Sequence, residues 1–119
     1  MPIFAGLLVL SCTAGFQTPQ RLSSGDIQNI FRDALISSSI AGQTEVFRAD
    51  GSYERQSRFT VYGRFSTNRD LLCVTTGTGA AIDCRAVFRA EDGQLFYVTP
   101  GEPFDLAKAR PIRTSPINP

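Results

Sequence analysis

Histidine is absent from this 119-residue chain, so the side chains that could do chemistry reduce to three cysteines and eleven carboxylates. Without His there is no Ser-His-Asp triad and no Cys-His pair, and the commonest transition-metal ligand is missing. Catalysis would then need paired carboxylates, an activated lysine or a bound cofactor. The single lysine is Lys108, close to the C-terminus. Most carboxylates fall at expected caps and turns, where short polar side chains bond local backbone. Asp83 is the exception: it is expected inside a strand, alternating with Arg85 and paired with an arginine. A general acid there would need a second carboxylate about 5–9 Å away, and the spacing supplies none. The expectation is therefore no catalytic residue, no metal and no cofactor.

Cys73 and Cys84 lie too far apart for a CxxC redox motif, and no further ligand types accompany them as zinc would require. A structural cross-strand disulfide fits the pair. Closing so short a loop stabilises a fold by roughly 2–3 kcal/mol, a large share of the net stability of a small domain. Thr76-Gly77-Thr78-Gly79 has the look of a phosphate cradle, but no helix follows it and no lysine assists. It reads as a hairpin turn.

The third cysteine belongs to a different segment. Ile3 to Leu10 is an apolar run too short to span a bilayer as a helix. It has the length of the h-region of a secretory signal, although no Lys or Arg precedes it. Residues 1–15 are accordingly read as a signal peptide or lipoprotein signal. Val9-Leu10-Ser11-Cys12 resembles a bacterial lipobox, which implies acylation of Cys12 and anchoring by more than one chain. The alternative is a signal cut near Ala14 or Gly15, with Cys12 discarded. Either way, setting Cys12 aside leaves an even pair, as an oxidising compartment favours. The expected location is the periplasm, as a free secreted protein or as a lipoprotein on the outer membrane.

Positioning Cys73 and Cys84 takes a scaffold, and the hydrophobic pattern outlines one over residues 22–99. Ser23 is an N-cap, Asp26 its capping acid, and Leu22 and Ile27 a hydrophobic staple. Ile27, Ile30, Phe31, Ala34 and Leu35 continue as an amphipathic stripe, predicting a helix from Leu22 to Ser37. From Thr44 the period becomes two. Strands are predicted over Thr44–Arg48, Tyr53–Arg58, Phe59–Ser66, Leu71–Thr76, Ala81–Ala90 and Gln94–Thr99, joined by short turns. The fold class is α+β, mostly β: one N-terminal helix packed on a six-stranded antiparallel meander, open or partly closed into a barrel.

A hairpin centred on Thr78-Gly79 sets Cys73 opposite Cys84. A two-residue turn at Asp92-Gly93 sets Phe88 opposite Tyr97 and Arg89 opposite Phe96. One face of these strands then carries Leu71, Cys73, Ile82, Cys84, Ala86, Phe88, Leu95 and Tyr97 without a charge, and is predicted to be the core under the helix. The other face holds the candidate binding residues Arg85, Arg89 and Phe96, a combination that interface cores favour. Residues 100–119 hold five of the seven prolines and read as an extended tail, with one short helical turn from Pro103 to Ala109.

After the helix pattern come Phe47-Arg-Ala-Asp-Gly51, Gly63-Arg-Phe65, Leu72-Cys73, Cys84-Arg-Ala-Val-Phe88 and Asp92-Gly93-Gln-Leu-Phe96-Tyr97. In this order they resemble a loose group of small exported alphaproteobacterial proteins of unknown function. Members often carry Trp after the glycine matching Gly63, where this chain has Arg64. The resemblance implies an envelope location and a small β-rich fold, and supplies no activity. Formal net charge is only +1, from 12 basic and 11 acidic residues, which removes the electrostatic case for nucleic acid or for direct adsorption to a membrane. The functional expectation is a non-catalytic envelope module that binds an envelope protein or cell-wall component, touching the membrane only through a lipid anchor. The alternative is an inhibitor or immunity-type protein that blocks an envelope hydrolase, entering its cleft with the Thr75–Ala80 hairpin.

Overall fold

The computed structural model describes residues 18–38, 42–77 and 81–117. Chain order is β1 (Gln20–Arg21), α1 (Ser24–Ile30), β2 (Ala34–Ser38), β3 (Thr44–Phe47), β4 (Ser52–Gln56), β5 (Thr60–Asn68), β6 (Leu71–Thr76), β7 (Ala81–Arg89), β8 (Leu95–Val98) and β9 (Arg110–Pro116). The strands are antiparallel, in the order β7-β6-β5-β4-β3-β2-β9-β8, and β8 returns to β7. Eight strands thus close a barrel, which settles the choice between open sheet and barrel. A barrel of this size is just wide enough for side chains to fill.

The helix starts where its cap predicts. The Ser23 hydroxyl accepts from the Asp26 amide at 3.2 Å, and Phe31 closes the last turn by donating to the Ile27 carbonyl at 2.9 Å. It stops far short of Ser37, however. Asp33 adopts a left-handed φ of 53°, and its carboxylate accepts from the Ala49 amide at 2.8 Å. Ala34 to Ser38 then run as β2, between β3 and β9. Ala34 and Leu35 fit a helical stripe and a strand equally well, and two waiting partner strands decide the matter. The short helix seals one end of the barrel, with Leu22, Ile27 and Phe31 buried among Phe47, Tyr53, Leu72 and Val74. Ser24 and Asp70 fasten it there by exchanging backbone-to-side-chain hydrogen bonds of 2.7 and 2.9 Å.

The tail is also corrected. Arg110–Pro116 is β9, the strand that joins β2 to β8 and closes the ring. Its prolines, Pro111 and Pro116, sit near the strand ends, leaving Ile112 to Ser115 free to donate to the ladder. Ahead of it, Ala109 donates to the Asp105 carbonyl at 2.8 Å in the single helical turn expected of this segment. The two extra strands come from β2 and β9, and β1 adds a short ninth outside the ring.

Register decides which side of the wall is inside. Cys73 lies opposite Cys84 as the hairpin centre predicts. The next hairpin differs by one residue: Ala90 donates to the Gln94 carbonyl, Gly93 donates to the Ala90 carbonyl, and Gly93 takes a φ of 94°. That is a three-residue loop with glycine in the left-handed position. Phe88 therefore faces Phe96, and Arg89 faces Leu95. A one-residue slip turns every side chain over, so Leu95 and Tyr97 join Leu72, Val74, Arg85 and Val87 inside. The face bearing the charge is the lumen, contrary to the expectation. The uncharged face is outside, where Ala86, Phe96 and Val98 form a second cluster under Phe104 and Ala109. Strand curvature also has its glycine: a Cβ on Gly63 would stand 2.1 Å from the Thr75 carbonyl oxygen, so no larger residue fits where β5 and β6 approach.

Candidate functional site

Glu45 on β3 points into the barrel, in the alternation that also turns Phe47 inward, and is 7% exposed. Three strands bring donors to it. The Tyr53 hydroxyl donates to Oε2, the Tyr97 hydroxyl donates to Oε1 at 2.8 Å, and Arg85 Nη1 reaches both oxygens at 3.0 and 2.8 Å. Arg85 also donates from Nε and Nη2 to Asp83 Oδ2, at 3.2 and 2.9 Å, and its guanidinium lies 4.6 Å from the centre of the Tyr97 ring. Among the described residues no buried side-chain polar atom lacks a partner. A buried charge pair survives only with such complete bonding.

The electrostatics follow from burial. Desolvation, then the Glu45 carboxylate, pushes the Tyr53 phenol up to about 12, and desolvation likewise holds Tyr97 well above its ordinary value. Against the desolvation that opposes it, Arg85 is held above its usual range by the Glu45 and Asp83 carboxylates beside it. These phenols stay protonated and these charges are spent on one another. The cluster braces the wall and holds its tyrosines away from nucleophile or base duty.

The residues singled out from sequence separate. Cys73 and Cys84 form the expected disulfide, with Cα atoms 4.0 Å apart. Asp83 pairs with Arg85 as expected. Cys12 lies outside the described residues. The three binding candidates do not share a surface: Arg85 is in the lumen, Phe96 is buried on the outer side with its ring 5.1 Å from that of Phe104, and Arg89 is exposed at the helix end. The slip at Gly93 is what parts Phe96 from the two arginines, which lie at different heights along β7. Of the Thr75–Ala80 hairpin, Thr78 to Ala80 lie outside the described residues.

Glu45, Tyr53 and Tyr97 were not singled out. The signal was available for Glu45, a carboxylate alternating with Phe47 inside a strand, whereas grouping it with turn acids hid it. Another missed signal is charge. From Arg55 to Arg69 the sequence carries Arg55, Arg58, Arg64 and Arg69 and no carboxylate.

Surface features concentrate at the end away from the helix. Phe59 at the β4–β5 turn is 73% exposed, and Tyr62 and Ile82 on the outer faces of β5 and β7 are each 67% exposed. Leu106 is the other large apolar side chain so exposed among the described residues. Nearby, a cleft of about 220 Å³ opens beside Asp83, Arg85, Tyr97, Lys108 and Arg110. A wider groove of about 470 Å³ runs at the helix end between α1, the β3–β4 turn and β5, where Gln28 donates to the Thr67 hydroxyl at 2.8 Å. The described residues include no group of three or more His, Cys, Asp or Glu able to hold a metal, and no helix long and apolar enough to cross a membrane. Comparison with family models, curated proteins and solved structures finds no match.

Proposed function

We propose that this chain is a non-catalytic binding module of the bacterial envelope, exported by its N-terminal signal, that engages an envelope protein or cell-wall component. The observation that carries this reading is the exposure of Phe59, Tyr62 and Ile82 on two neighbouring hairpins. Large exposed apolar side chains, with Arg58 and Arg64 on the same hairpin as Phe59 and Tyr62, have the composition of interface cores. Glu45, Tyr53, Arg85 and Tyr97 in the lumen support it as well, because they satisfy one another and leave none of the four poised for proton transfer.

A bead-coupled native protein, exposed to solubilised native envelope, is expected to retain a discrete component. The variant Phe59→Ser/Tyr62→Ser/Ile82→Ser is expected to melt as the native protein does and to lose that component. Equal retention by both proteins, or retention of nothing by either, would overturn the reading. Cell fractionation with mass determination checks export: the mature chain is expected to lack Met1 and, under lipidation, to carry acyl mass on Cys12.

The exposed tip Ser57-Arg58-Phe59 favours the second reading, an inhibitor that inserts a hairpin into a hydrolase cleft. Stoichiometric inhibition of an envelope hydrolase, abolished by Phe59→Ser alone, would select it over the broad-surface module.

A further inference from the structure

The barrel wall has a notch. β7 pairs with β6 through Ala81 to Arg85 on one side, whereas β8 on the other side reaches only as far as Ala86, opposite Val98. Main-chain direction identifies which groups face the notch. The Val87 carbonyl accepts from Leu22 on the β6 side, where β1 runs. The Ala90 amide bonds Gln94 on the β8 side. Odd-numbered main-chain groups of β7 therefore face β6, and even-numbered ones face β8. Beyond Val98, the N–H and C=O groups of Ile82 and Cys84 face the gap, and no strand pairs with them among the described residues.

Such an edge is a template for another strand, and its surroundings select the kind. The cleft of about 220 Å³ lies along it, lined by Cys84 of the edge and by Lys108 and Arg110. Arg110 stands directly across from Tyr97, on the lumen-facing side of the ladder. Neither Lys108 nor Arg110 forms an ion pair among the described residues, while the carboxylate that lines the cleft with them, Asp83, is already engaged by Arg85. On the outer side the edge offers Ile82, 67% exposed.

We propose that β7 receives an extended acidic peptide segment of a partner protein as an added strand. Its main chain pairs with Ile82 and Cys84, its carboxylates face Arg110 and Lys108, and its alternate apolar residues lie beside Ile82. Strand addition draws affinity from main-chain pairing and specificity from alternating side chains. Pairing of two copies edge to edge is disfavoured, since it would bring Lys108 and Arg110 of each copy together. The proposal rests on the binding-module reading and names the partner's chemistry.

The probe is a capped hexapeptide alternating Val and Glu, titrated into the oxidised protein at low salt. Binding is expected, with slowed hydrogen exchange at the Ile82 and Cys84 amides and no change at the odd-numbered β7 amides. N-methylation of alternate peptide amides is expected to weaken binding at least tenfold. Lys108→Glu/Arg110→Glu should do the same while leaving the melting temperature in place, and the Val–Lys peptide should not bind. Absence of binding would overturn the proposal, as would affinity indifferent to N-methylation or matched by acetate alone, which would mark a simple anion site. Concentration-dependent dimerisation protecting the same amides would assign the edge to a second copy. Should the peptide fail while the Phe59, Tyr62 and Ile82 variant still loses its envelope component, the strand proposal falls and the binding-module reading stands.

Discussion

Arg85 and Ala86 are neighbours in β7, yet they meet opposite solutions to burial. Arg85 enters the lumen, where a carboxylate and two phenols close around it. Ala86 faces outward into an apolar pack with Phe96 and Val98, roofed by Phe104 and Ala109. The inner side is directional and mutually dependent, because each polar group there needs the others to be satisfied. The outer side is non-directional, and its stabilisation scales with area removed from water. One strand can therefore be buried on both faces without being apolar on both. What it needs is a polar set that balances internally on one side and a crossing segment on the other.

The sharpest way to break this contrast is to remove one member of the inner set. Arg85→Leu leaves Glu45 buried without its cation, and Glu45→Leu leaves Arg85 with Asp83 alone. Each is expected to cost about 3–5 kcal/mol, the usual loss when one partner of a buried pair is deleted. The double variant Glu45→Leu/Arg85→Leu is expected to cost clearly less than the sum, since it removes both charges together. Urea midpoints at pH 7 provide the check. Strict additivity would mean the groups are not a unit.

Phe104→Ala tests the outer side. Its ring lies 5.1 Å from Phe96 and 5.6 Å from Phe88, centre to centre, and it is half-buried. Deletion is expected to cost about 2–3 kcal/mol, below the range for fully buried phenylalanine. Combined with Arg85→Leu, the two losses are expected to add, because the wall separates them and they share no partner. A coupling above about 1 kcal/mol in that cycle would mean the faces are not independent.

The particular residues explain how much of this was legible. The helix cap at Ser23, the period-two pattern from Thr44 and the Cys73–Cys84 pairing depend on local chemistry or symmetry about one turn, and sequence carries them. Barrel closure does not belong to that class. It depends on β2 and β9, which come from segments whose local signals favoured a helix and a proline-rich tail, and which become strands because each finds partners distant in sequence. The inside-out assignment turned on one residue in the Ala90–Gln94 loop, since Asp-Gly suits both a two-residue turn and the position before a left-handed glycine. Once that register slips, charge alone misleads: Arg85 reads as solvent-facing until Glu45, far away in the chain, is known to meet it.

Alkaline pH should separate the two faces with the smallest perturbation. Burial and the Glu45 charge raise the Tyr53 phenol from 10.0 to about 12, and Tyr97 is raised in the same direction. The folded protein therefore keeps protons that the unfolded chain releases. Their stabilising contribution is fully present below pH 10 and is lost as pH rises through the folded values, since stability falls wherever the native state binds more protons. For Tyr53 the loss is of order 2 kcal/mol between about pH 10 and 12. Urea midpoints from pH 8 to 12.5 are expected to be flat and then to fall. Tyr53→Phe should cost about 1 kcal/mol at pH 8, for one lost hydrogen bond, and should soften the later fall, with Tyr62→Phe on the solvent side as the control. The penalty of Phe104→Ala should stay constant throughout, because no phenol or carboxylate belongs to its cluster. If Tyr53→Phe left the alkaline limb untouched, the inner network would not be the group that titrates, and the contrast between the two faces would rest on geometry alone.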